Sequence, residues 1–208
     1  MTTIVGIQGD GYAVVTTDSR ISSIDESGFT YQVTTLGTGS SKVASNGKYL
    51  LGAAGDVRAI NILHYVFAPP APAPSLKGKK LDAFITSKFV PALRACFEEQ
   101  GYALPERDSS DHIAEQGSTI LVVVNGMIYV IDGDYSWTSD SAGFYAIGSG
   151  APYALGALQV LRGNRKPTIQ QAKTIALKAL AVTAKFDPHT GAPFNTFVQE
   201  HRSNNGKQ

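Results

Sequence analysis

The sequence predicts an α+β fold, a four-layer α-β-β-α sandwich, formed by a single domain over residues 1–208. Three observations predict it. Short runs rich in Val, Ile, Leu and Thr cluster within 3–54 and again within 118–147, as strands do. Two pairs of apolar segments of helical length follow, 57–67 with 81–100 and 151–161 with 169–185. Asn-Gly dipeptides at 46–47 and 125–126 separate strand-like runs, which marks hairpins. The order strands, two helices, strands, two helices, last strand buries its apolar surface as two facing antiparallel sheets with a helix pair outside each.

Each element has a local reason. Residues 3–7 and 12–17 are strands joined at Gln8-Gly9-Asp10-Gly11, where glycines accept positive φ. The polar, Ser/Thr/Gly-rich stretch 21–41 reads as a hairpin or loop. Residues 42–45 and 49–54 form a hairpin, and Gly55-Asp56 opens the helix 57–67. The segment 68–75, Ala-Pro-Pro-Ala-Pro-Ala-Pro-Ser, is a stiff surface connection, because proline donates no N–H. The helix 81–100 carries Pro91, which marks a kink or boundary. Residues 101–116 are expected to be a mobile polar loop. The strands 118–124, 127–131 and 144–147 precede the helices 151–161 and 169–185, and 194–199 is the last strand.

Composition excludes several function classes. With 18 basic and 17 acidic residues the net charge is +1, so no bulk field draws in nucleic acid or anionic lipid. No apolar run reaches the roughly 20 residues that span a bilayer. The first residues lack the basic and apolar regions of a secretory leader, and the single cysteine, Cys96, rules out an internal disulfide. A cytoplasmic location is expected. The four histidines show no metal-ligand spacing, and neither a P-loop nor a dinucleotide fingerprint occurs, so no metal or cofactor is expected.

The chemistry-bearing feature is the start, Met1-Thr2-Thr3-Ile4-Val5. Methionine is normally removed before a small side chain, which would leave Thr2 with a hydroxyl nucleophile and a free amine on one residue. Other residues are ambiguous one at a time. Asp18 before Ser-Arg fits a turn, Lys42 fits a solvated strand end, and Gly148-Ser149-Gly150 fits a helix cap. Asp187-Pro188 fits a helix stop. A serine-hydrolase elbow fails, because around Ser149 the G-x-S-x-G spacing requires glycines where Ile147 and Ala151 stand.

Taken in order, these motifs resemble the N-terminal nucleophile hydrolases (peptidase family T1). The resemblance is to proteasome β subunits and to the proteolytic subunit of the bacterial two-component ATP-dependent protease. It rests on Thr2-Thr3-Ile4-Val5, on Thr17-Asp18-Ser19-Arg20-Ile21-Ser22, and on Lys42-Val43 with Leu50-Leu51-Gly52-Ala53-Ala54-Gly55. Ala146-Ile147-Gly148-Ser149-Gly150-Ala151-Pro152 and Asp187-Pro188-His189-Thr190-Gly191 complete it, with threonine where proteasome subunits carry serine. Asp18 and Lys42 stand about eight residues farther apart than in that family, an insertion assigned to a hairpin around Asp25-Glu26-Ser27-Gly28.

The resemblance implies a threonine endopeptidase with Thr2 as nucleophile and Asp18, Lys42, Ser149, Asp187 and Thr190 around it. A cation at Lys42 would lower the pKa of the Thr2 amine, and Asp18 would hold that cation. Ser149, Asp187 and Thr190 would orient the amine, and the Gly55 N–H would face the oxyanion. Ile21, Ser22, Ala53 and Val57 would line the substrate pocket, whose small apolar residues suggest cleavage after apolar side chains. The implied assembly is a homo-oligomeric ring, supplied with unfolded polypeptides by a separate ATPase unfoldase. Two rival readings are a catalytically silent structural ring subunit and a small-molecule amidase on the same fold.

Overall fold

The computed structural model describes residues 2–25, 27–37, 39–102, 116–163 and 166–201. β1 (Thr3–Gly9) and β2 (Tyr12–Asp18) form the opening hairpin, with Gly11 at φ +72° in its turn. They occupy the middle of a four-stranded antiparallel sheet, flanked by β10 (Phe144–Gly148) and β11 (Phe194–Glu200) in the order β10-β1-β2-β11. The second sheet has the order β5-β6-β7-β8-β9. Its strands are Val43–Asn46, Tyr49–Ala54, Thr119–Val124, Met127–Ile131 and Trp137–Thr138. A separate two-stranded hairpin, β3 (Arg20–Ile24) with β4 (Thr30–Thr35), stands between β2 and β5 in the chain.

Alternation along the strands explains why they read as unbroken apolar runs. Ile4, Ala13 and Val15 point into the layer between the sheets, against Val43, Leu50, Leu121, Val123 and Ile128. Their neighbours Val5, Ile7 and Val14 point outward onto Ala154, Leu158, Ala172, Ala176 and Leu180 of the helices. Both faces of each central strand are therefore covered, and polar alternation would be penalised. Each fully buried Val, Leu or Ile contributes about 1.5–3 kcal/mol of transfer free energy.

α4 (Ala151–Arg162) and α5 (Ile169–Phe186) cover the first sheet, and α5 starts with a Thr168/Gln171 capping box. α1 (Val57–Tyr65) covers the second sheet, and the Asp56 side chain accepts the Arg58 N–H at 2.8 Å as its N-cap. Beside it run α2 (Lys79–Phe84), a π-helical turn (Ile85–Phe89) and α3 (Val90–Glu99), in place of one helix over 81–100. Pro91 sits in the first turn of α3, so the wide turn before it absorbs both the missing N–H and the ring's clash with the preceding turn. A stripe at every fourth position, Leu81, Ile85, Phe89, Leu93 and Phe97, stays fully buried through this change. The four layers are those expected; β9 was not anticipated.

The proline-rich segment lies across the ends of the second sheet's hairpins. Its carbonyls do the bonding: Tyr49 Oη donates to Pro70 O at 2.6 Å and Asn125 Nδ2 to Ala73 O at 3.1 Å. Most of the polar loop expected over 101–116 lies outside the described residues. Among the described residues no helix is long and apolar enough to cross a membrane.

Candidate active site

β1 enters the centre of its sheet, so its first residue is flanked by the last residues of two neighbours. Thr3 pairs with Gly148 at the end of β10, and Ile4 pairs with Thr17 one residue before Asp18. This register alone brings Asp18 and the Gly148-Ser149-Gly150 corner to either side of Thr2 and Thr3.

On one side Asp18 is fully buried and accepts four hydrogen bonds. Oδ1 takes Lys42 Nζ at 2.6 Å and the Thr3 N–H at 3.0 Å; Oδ2 takes the Arg20 N–H at 3.0 Å and the Gly191 N–H at 3.1 Å. Lys42 is equally buried and also donates to the Arg20 carbonyl. The longer interval between Asp18 and Lys42 is taken up by the β3–β4 hairpin, which lets Lys42 return to the carboxylate. Burial pushes the Lys42 pKa below the ordinary lysine value, against the opposing pull of the Asp18 carboxylate.

On the other side Asp187, the C-cap residue of α5, collects hydroxyls. Oδ2 accepts Thr190 Oγ1 at 2.5 Å and Ser149 Oγ at 2.9 Å, and Oδ1 accepts the His189 N–H at 3.2 Å. Thr3 Oγ1 lies 2.6 Å from Thr190 Oγ1. A hydroxyl has one hydrogen, and Thr190 gives its own to the carboxylate, so Thr3 is the donor in that pair. Gly148 and Gly150 are required here. At Gly148, with φ +95°, a Cβ would fall 1.9 Å from Thr2 O; at Gly150 it would fall 2.3 Å from Thr3 Oγ1. The structure therefore brings Asp18, Lys42, Ser149, Asp187 and Thr190 together around the segment Thr2-Thr3, and Thr2 is buried at 3% exposure.

Solved structures share this architecture. BPH from Thiobacillus denitrificans matches with a TM-score of 0.70 and 21% identity over 96% of this chain and 98% of that one. The same protein in complex with epoxomicin matches at 0.68 and 20% identity, over 97% and 100% of the two chains. Eukaryotic HslV from Trypanosoma brucei matches at 0.59 and 21% identity, over 96% and 99%. No family model matches the sequence, and no curated protein matches it. The fold is that of the proteasome-type N-terminal nucleophile hydrolases.

Within this proteasome-type fold, Gly55 sits where β6 gives way to α1. Its φ is +136°, and a Cβ would meet Gly117 O at 2.5 Å. The next residue is fixed by Ser118, whose Oγ accepts the Asp56 N–H at 3.0 Å and also meets Tyr102 Oη at 2.7 Å. Ile21 and Val57 line one small cavity of about 100 Å3 with Leu36, Ser41, Asn61 and His64. That wall mixes apolar and polar groups. Ser22 is buried, and Ala53 is fully buried in the core between the second sheet and its helices.

Three positions belong to the arrangement without having been singled out from sequence. Thr3 bonds to both halves, the Arg20 main chain bonds to Asp18 and Lys42, and the Gly191 N–H completes the carboxylate's partners. Thr3 was legible only as the neighbour of Thr2. For Arg20 and Gly191 the functional group is largely the peptide backbone, which carries no sequence signal.

Proposed function

We propose that this chain is a threonine endopeptidase of the proteasome β type, with Thr2 as nucleophile after loss of Met1. One observation carries the reading: a single oxygen, Asp18 Oδ1, binds both Lys42 Nζ and the Thr3 N–H, which sets a buried cation beside the start of β1. In the proposed reaction Thr2 Oγ1 attacks a peptide carbonyl carbon while the Thr2 α-amine takes the hydroxyl proton. The tetrahedral oxyanion is met by the Gly55 N–H. Collapse passes the proton to the departing amine and leaves an ester on Thr2. Water, deprotonated by the same amine, attacks that ester and returns the free threonine.

The reference pKa of an α-amine is about 7.7–8.0. A neighbouring ammonium at Lys42 disfavours the protonated amine and enlarges the basic fraction at neutral pH. Ser149, Asp187 and Thr190 offer acceptor oxygens that can hold the amine's hydrogens and leave its lone pair for the hydroxyl. The cavity at Ile21 and Val57 is the proposed substrate pocket, and the substrates are unfolded polypeptides. The working form is a homo-oligomeric ring served by a separate ATPase unfoldase, in line with the absence of a nucleotide motif in the sequence.

The test is intact mass before and after exposure to a peptide epoxyketone, the reagent class of epoxomicin, which is bound in one of the structural relatives. Loss of Met1 with gain of one inhibitor per chain is the expected result. A chain that keeps Met1 and takes up no inhibitor overturns the reading and favours the silent ring subunit.

A further inference from the structure

Gln116 and Ser118, just before β7, are buried polar residues at 4% and 5% exposure, and the proposed reaction gives them no part. Buried polar groups are tolerated when they are hydrogen-bonded, and these two bond to each other. Gln116 Oε1 accepts the Ser118 N–H at 2.8 Å, and Gln116 Nε2 donates to the Ser118 carbonyl. The Gln116 N–H is itself held by the Gly133 carbonyl at 3.0 Å. Ser118 is clamped through its main chain on both sides.

Its hydroxyl reaches the Gly55 turn. Ser118 Oγ accepts the Asp56 N–H at 3.0 Å and lies 2.7 Å from Tyr102 Oη. Tyr102 is anchored in turn: its ring stands edge-on to Phe97 with centroids 4.9 Å apart, and its N–H donates to Phe97 O at 2.8 Å. Arg58, in the first turn of α1, donates to the Gln100 carbonyl and ties the end of α3 to the same turn. Packing is close as well. A Cβ on Gly55 would fall 2.5 Å from Gly117 O and 2.6 Å from Ser118 Oγ.

Glycine gives the chain access to φ +136° at position 55 but does not hold it there, because glycine ranges freely over such conformations. The direction of the Gly55 N–H therefore depends on what grips the peptides around it. Gly117 and Ser118 press on the Gly55 Cα, and the Ser118–Asp56 bond fixes the following peptide. We infer that Ser118, backed by Gln116 and Tyr102, is a positioning residue that holds the Gly55 N–H in one direction before substrate arrives. The kinetic consequence rests on the threonine-endopeptidase reading, in which that N–H meets the oxyanion. A donor aimed in advance needs no reorganisation as charge develops, and deleting one such donor lowers kcat by about a hundredfold to a thousandfold. A donor left in place but free to turn loses part of that.

Two substitutions test the brace. Ser118→Ala removes the acceptor of the Asp56 N–H, whereas Tyr102→Phe keeps the ring on Phe97 and removes only the outer hydroxyl. In the assembled protein, kcat and KM are measured on a fluorogenic peptide, together with Ki for a peptide aldehyde. Thr2 Oγ1 adds to the aldehyde carbon and the hydroxyl proton passes to the former carbonyl oxygen, which then occupies the oxyanion's place. Ser118→Ala is expected to lower kcat about tenfold to thirtyfold with KM within about twofold, and to raise Ki by the factor that kcat/KM loses. Tyr102→Phe is expected to move both about threefold in the same directions. Hydrogen exchange by mass spectrometry over residues 52–58, which needs no activity, is expected to be about tenfold faster in Ser118→Ala.

Wild-type kcat and Ki in Ser118→Ala would make the brace merely structural and overturn the inference. Should Ser118→Ala fail to assemble, wild-type kcat and Ki in Tyr102→Phe overturn it instead. If the wild-type protein neither hydrolyses peptide nor binds the aldehyde, the endopeptidase reading fails. Exchange then decides the brace separately, and an unchanged rate in Ser118→Ala overturns it.

Discussion

Thr3 Oγ1 donates to Thr190 Oγ1 across 2.6 Å, joining the first residue of β1 to a turn 187 positions away. The bond continues through Thr190 to Asp187 Oδ2, so the hydroxyls form a directed chain that ends on a carboxylate. Polarisation along such a chain strengthens each link. Thr3→Val keeps the shape and deletes the donor. It is expected to cost about 1–2 kcal/mol of stability by urea denaturation, and to lower peptide kcat about tenfold with KM little changed. Thr3→Ser restores most of both. Equal kinetics for Thr3→Val and wild type would remove Thr3 from the site.

Thr2→Ala is expected to abolish peptide turnover while the protein assembles as before, because the methyl group cannot attack. Thr2→Ser retains part of the activity, since hydroxyl and amine both persist. Residual turnover by Thr2→Ala above background, measured with sizing of the same sample, would sink the proposed mechanism.

The buried Lys42–Asp18 pair is asymmetric, because Asp18 accepts from four donors and Lys42 is only one of them. Removing one partner of a buried pair costs about 3–5 kcal/mol. Asp18→Leu, which takes the carboxylate away from the ammonium and from three backbone N–H groups, is expected at or beyond the upper end, and Lys42→Met at or below the lower. Chemical denaturation of both variants gives the order. A reversed order would show that Asp18 is not the hub.

Gly150 and Gly156 make a matched pair of glycine tests. A Cβ at Gly150 falls 2.3 Å from Thr3 Oγ1, whereas at Gly156, within α4, nothing lies within 4 Å. Gly150→Ala is expected to destabilise by about 1–3 kcal/mol through overpacking. Gly156→Ala is expected to stabilise by about 0.5–1 kcal/mol through helix propensity. Thermal melts of the two variants should move in opposite directions, and a neutral Gly150→Ala would mean the N-terminal segment is loosely held.

Burial holds the His64 pKa below its ordinary value of 6.5, against an opposing hydrogen bond to the Ser41 backbone. Between the folded value and 6.5 the unfolded chain binds more protons than the folded one. Stability therefore rises with pH through this window and falls as the pH drops toward the folded value. His64→Gln removes that dependence, so its denaturation midpoint should differ less between about pH 5 and pH 7 than the wild type's. An unchanged difference would exclude His64 as a contributor.

Much of the fold was legible because short-range physics wrote it into short stretches of chain. The apolar runs of β1, β2 and β7 follow from strands covered on both faces, the Asn-Gly pairs from hairpin turns, and the start of α1 from the Asp56 cap. Asp18, Lys42, Ser149, Asp187 and Thr190 were each ambiguous by type and setting, and they became legible as a set only through the ordered resemblance to the N-terminal nucleophile hydrolases. Tertiary structure decided the rest. Only folding shows that the β3–β4 hairpin absorbs the extra residues and still returns Lys42 to Asp18. Only folding recruits Thr3, the Arg20 main chain and the Gly191 N–H. The physical reason is that, the Arg20 N–H to Asp18 bond apart, these bonds join residues far apart in sequence, some through backbone groups that every residue carries, and their geometry exists only once the sheets have set the register.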